Sequence, residues 1–86
     1  MLLNPRQEEL IEELFQKVKK QYPEIEMIDV EPSFDTPDHI WINVHAPMEE
    51  AKEIELRHFA AELAIDILVD YGYHLSIMPR NPMLHA

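Results

Sequence analysis

Residues 39–45 read His-Ile-Trp-Ile-Asn-Val-His, with a β-branched apolar side chain at every second position. A period of two sends successive side chains to opposite faces of a strand. Ile40, Ile42 and Val44 therefore make one face, and His39, Trp41, Asn43 and His45 the other. On both sides of this segment the apolar period changes to that of a helix. Leu10, Ile11, Leu14, Phe15, Val18 and Tyr22 recur at three and four, and a second, broader apolar run extends from Phe59 to Val69. A chain whose apolar period switches from 3.6 to 2 combines helices with strands, whose apolar faces must be buried against one another.

The first helix is predicted over Pro5–Tyr22. Asn4 is a suitable N-cap, Pro5 falls at N1, and Gln7 at N3 can close a capping box. Glu8 and Glu9 complement the positive helix end, and Lys17, Lys19 and Lys20 the negative one. Pro23 stops the helix. Strands are predicted over Glu24–Glu31 and Asp38–His45. The loop Pro32-Ser33-Phe34-Asp35-Thr36-Pro37 joins them as an antiparallel hairpin. In the first strand, Ile28 and Val30 oppose Met27, Asp29 and Glu31, while Ile25 fits the alternation poorly.

A second helix is predicted to start near Pro47 and to run through Met48–Tyr71, with Gly72 as its left-handed terminator. Tyr73–Met78 reads as a third strand, with Leu75 and Ile77 opposing His74, Ser76 and Met78. Pro79 and Pro82 end the order. The expected organisation is one α+β domain over 1–79 and a tail over 80–86. The order α-β-β-α-β implies a two-layer sandwich, a three-stranded sheet with two helices on one face. The second and third strands should run in the same direction, because one helix returns the chain between them.

Composition excludes several function classes. The 86 residues contain one Gly and no Cys. One Gly cannot write a phosphate-binding P-loop, a dinucleotide fingerprint or a nucleophile elbow. The absence of Cys removes disulfides, zinc fingers, iron–sulfur sites and thiol catalysis. Seven Lys plus Arg stand against seventeen Asp plus Glu, for a net charge of −10. That field opposes a nucleic-acid surface. The element order is similar to that of the small KH-like RNA-binding domains in topology only, and the Gly-x-x-Gly loop of that family is absent. The N-terminus has no secretory pattern, and no apolar run reaches the roughly 18–20 residues of a membrane span. A cytoplasmic protein without membrane contact is expected.

The sheet face turned away from the helices should carry Met27, Asp29, His39, Trp41, Asn43, His45, His74 and Met78, together with Ser76. Trp, Met and His together suit a contact surface. His45 and His74 can share a metal ion if their strands are neighbours in the right register, with Asp29 as the nearest carboxylate. His39 and His45 lie roughly 20 Å apart along one strand and cannot. His58, Glu62 and Asp66 fall at i, i+4 and i+8 on the second helix, a weaker metal-ligand spacing. Glu55, Glu62, Asp66 and Asp70 read more simply as the solvated edge of that helix. Its wide apolar arc is covered either within the chain or by a helix of another subunit. Ser33, near Asp35, Asp38 and His39, has the composition of a catalytic triad, but Ser, Asp, Thr and Pro are also ordinary turn residues.

These features point to a non-enzymatic protein–protein interaction module that forms a homodimer or binds another protein. No cofactor, resident metal or nucleic-acid partner is expected. The alternatives are a ligand-binding, metal-binding or enzymatic module on the His/Trp face, and an acidic decoy for a basic protein.

Overall fold

The computed structural model describes residues 3–33, 36 and 38–80. The elements follow the order α1 (Pro5–Gln21), β1 (Glu26–Pro32), β2 (His39–His45), α2 (Glu50–Tyr71) and β3 (His74–Arg80). The three strands form one mixed sheet in the order β1-β2-β3. β1 and β2 pair antiparallel, and β2 and β3 pair parallel. Fold and relative strand direction are as expected. The sheet order, left open by the sequence, makes β2 the centre and β3 an edge.

The α1 N-terminus is closed by a full capping box. Gln7 N donates to Asn4 Oδ1 at 2.8 Å, and Asn4 N donates to Gln7 Oε1 at 3.0 Å. Leu10, Ile11, Leu14, Phe15 and Val18 bury one stripe of this helix. They meet Ile40, Ile42 and Val44 of β2, Leu75 and Ile77 of β3, and Leu56 and Ala60 of α2 in a single core. At 22 residues, α2 is about 33 Å long, and it matches the 35 Å long dimension of the molecule.

Three boundaries differ from the sequence expectation by two residues or more, and one strand differs in register, each for a local reason. β1 begins at Glu26 rather than Glu24, because Ile25 N donates to Tyr22 O and closes a turn. Ile25 leaves the strand pattern but is fully buried, which explains its poor fit to the alternation. α2 begins at Glu50 rather than near Pro47, because Met48 N donates to Ala46 O in a tight turn. Its N-cap, Glu49, makes no side-chain cap bond. Pro79 does not end the third strand, which continues to Arg80 with Pro79 buried. Proline has no N–H for a ladder and is tolerated here because β3 is an edge strand. Loop positions 34, 35 and 37 and the tail 81–86 lie outside the described residues.

The fourth difference is in β1. The register slips between Met27 and Asp29, so Met27 pairs with Val44 and Asp29 with Asn43. Ile28 is the extra residue of this β-bulge and is 49% exposed. Met27 therefore packs against the core with Val30. The expected assignment of Met27 to the open face is corrected, and Ile28 does not share a core face with Val30.

Candidate functional site

The open face of the sheet is a connected polar surface. Its register sets His39 beside His74, Trp41 beside Ser76, Asn43 beside Met78 and His45 beside Arg80. On the other side of β2, Asn43 pairs with Asp29 and Trp41 with Glu31. Asn43 is only 4% exposed and is fully bonded. Its Nδ2 donates to Asp29 Oδ1 at 2.6 Å and to Glu31 Oε2 at 2.7 Å. Its Oδ1 accepts from Arg80 Nε at 2.9 Å. A buried amide needs such partners, because each unpaired polar atom away from water costs about 1–3 kcal/mol.

Arg80 does more than bond Asn43. Its guanidinium lies over the Trp41 ring at 5.7 Å, with an Nη 4.0 Å from Glu31 Oε2. The His39 ring meets Trp41 edge-on with centroids 6.4 Å apart. Trp41 points away from the helices, as expected. It is not bare, however, because Arg80 and His39 of its own chain half-bury it. Sequence reading missed Arg80 by assigning it to the tail. The signal available was the apolar spacing of Leu75 and Ile77 continuing to Pro79.

The histidines are arranged differently from the pairing of His45 with His74 that a shared metal ion would need. β2 and β3 are neighbours, but the register brings His74 to His39, and His45 lies at the other end beside Arg80. The His39 and His74 rings stack with centroids 3.7 Å apart and planes 4° from parallel. Stacked rings send their nitrogen lone pairs out in parallel planes rather than toward one ion. Among the described residues no three His, Asp or Glu gather as a metal site, and His58, Glu62 and Asp66 are exposed on α2. Asp29 is committed to Asn43 rather than to a histidine.

His39 Nε2 and Ser76 Oγ share a hydrogen bond of 2.7 Å. This contact joins a hydroxyl to a base, two of the groups that nucleophilic catalysis combines. Ser33, by contrast, is a turn residue. Its Oγ donates to Thr36 O at 2.9 Å and accepts from Thr36 N at 3.0 Å.

A second candidate surface lies on α2. Leu56, Ala60 and Ala64 are its buried residues, with Phe59, Leu63 and Ile67 partly buried. Among the described residues, coverage of this helix is therefore partial. Ile54 is 49% exposed, Ile65 57% and Leu68 39%. Ala51, His58 and Ala61 on the same side are also exposed. A groove lined by Ala61, Ala64, Ile65, Leu68, His74 and Ser76 separates this side from the β3 edge. Ile54 was not singled out from the sequence, although its spacing of seven to Ala61 and of eleven to Ile65 marks it as part of this side. Among the described residues, no helix is long and apolar enough to cross a membrane. The chain matches no protein family, no curated protein and no solved structure.

Proposed function

We propose that this chain is a cytoplasmic protein–protein interaction module that self-associates through the outer side of α2. The observation that carries the reading is the second apolar side of that helix. A helix that is apolar on both sides is a helix meant to be covered on both. Here the core covers one side, and Ile54, Ile65 and Leu68 remain exposed on the other. On the open sheet face, in contrast, Arg80, Asn43, Asp29 and Glu31 bond to one another. That makes α2 the better candidate for the contact. Large exposed apolar patches on small proteins mark interaction surfaces.

Light scattering tests the proposal. The wild-type chain is expected to be a dimer. Ile65→Glu is expected to weaken the dimer by on the order of a hundredfold, because it places unpaired carboxylates in an apolar contact. Ile65 is mostly exposed in the single chain, so helix content by circular dichroism should not change. A wild-type chain that stays monomeric as concentration rises would overturn the reading. So would a dimer indifferent to Ile65→Glu.

A further inference from the structure

Resting on this self-association, we infer that two copies meet with α2 against α2, antiparallel, about a twofold axis between the levels of His58 and Ala61. The outer side of α2 carries Ala51, Ile54, His58, Ala61, Ile65 and Leu68, spaced three, four, three, four, three. All six are exposed. This alternation keeps one seam facing a neighbouring helix over successive turns.

The order of side chains along the seam argues for a second copy as the occupant. When the seam is reversed and laid on itself, Ala51 stands opposite the partner's Leu68, Ile54 opposite the partner's Ile65, and His58 opposite the partner's Ala61. Each level then joins one large and one small side chain, or two isoleucines. The space between the helices fills evenly, as close-packed contacts require. With the helices parallel, Ala51 and Ala61 would each face their own copy, leaving two thin levels, and the two His58 rings would meet. The antiparallel arrangement closes as a twofold contact, in which residue i meets j and j meets i. An unrelated partner would give the seam no reason to complement its own reversal.

Ala51 to Leu68 spans about 27 Å of helix. A strip of that length and about 10 Å wide covers about 270 Å², below the roughly 600 Å² per partner at the lower end of standard interfaces, so the contact belongs with the small, readily exchanging ones. One feature opposes the arrangement: Glu55 lies across from the partner's Glu62 at the seam's flank. This like-charge pair arises only in the antiparallel arrangement and opposes it, so the direction rests on how the side chains fill the seam.

The chain has no cysteine, so introduced thiols report only on the seam. Ala51→Cys and Leu68→Cys chains, prepared separately and mixed, are expected to give a 51–68 disulfide on mild oxidation, identified by peptide mass. Either chain alone should give several-fold less, because in the antiparallel arrangement the two copies of position 68 lie about 25 Å apart. Ile54→Cys mixed with Ile65→Cys repeats the test should the first pair fold poorly. Homodimeric cross-links from Leu68→Cys alone, with none in the mixture, would mean parallel helices and overturn the inference while leaving self-association intact. A dimer by light scattering without cross-links in either mixture would overturn it as well. A monomer by light scattering removes the underlying self-association itself.

Discussion

At the residue scale, the open face depends on Asn43. Asp29 and Glu31 stand two residues apart on one strand face, where their charges repel. The Asn43 amide donates to both while its oxygen takes the Arg80 Nε. One neutral side chain thus ties two anions to a cation, and Arg80 is held over Trp41 as a result. Gly72 is a different kind of constraint. Its φ is +79°, and its N–H donates to Leu68 O at 2.9 Å to close α2. A Cβ built there meets nothing within 4 Å, so any cost of substitution is backbone strain and not collision. Gly72→Ala is expected to destabilise the fold by about 1 kcal/mol. Urea denaturation measures this, and an unchanged midpoint would refute the strain argument.

At the element scale, the two helices contrast. α1 has one apolar stripe, one capping box and a polar remainder. α2 has two apolar sides and no side-chain cap, so its position depends on tertiary contacts. One of these is the ion pair between Lys52 in its first turn and Glu24 in the turn before β1. The hydrogen bond from Lys52 holds the Glu24 carboxyl below its ordinary 4.5, and the same bond raises Lys52 above its ordinary 10.5. A lowered carboxyl contributes stability above its unfolded pKa and loses it as pH falls through the folded value. A raised amine contributes below its unfolded pKa and loses it as pH rises through the folded value. The pair therefore contributes most between those two ordinary values. The Lys52 and Glu24 side chains are 42% and 35% exposed, so solvent screening keeps the effect small. Lys52→Met should lower the denaturation midpoint near neutral pH, and the gap to wild type should narrow on acidification below pH 4.5. A gap constant down to pH 3 would show that the pair contributes nothing through charge.

At the scale of the whole molecule, a net charge of −10 sits on a body of 35 × 24 × 20 Å. Self-repulsion opposes both compaction and assembly, and salt screens it over roughly 10 Å at 0.1 M. Raising salt from about 0.02 to 0.2 M should therefore raise the thermal midpoint and tighten the proposed dimer several-fold. Sedimentation equilibrium across that range checks it, and a dissociation constant that rises with salt would contradict an apolar seam between two anionic copies.

The sequence by itself determined the element types, their order and the direction of β3 relative to β2. These rest on local periodicity, capping chemistry and chain connectivity, all of which are written in neighbouring residues. The capping box of Asn4 and Gln7, the alternation of Ile40, Ile42 and Val44, and the left-handed Gly72 belong to this group. Only the tertiary structure decided that β3 takes the edge beside β2, that the bulge at Ile28 turns Met27 inward, and that His74 stacks on His39 and not near His45. It also decided that Arg80 closes over Trp41, and that one apolar side of α2 is left outside the core. Register, sheet order and coverage depend on which distant surfaces meet, and a one-residue slip exchanges the faces of a strand without changing any local propensity.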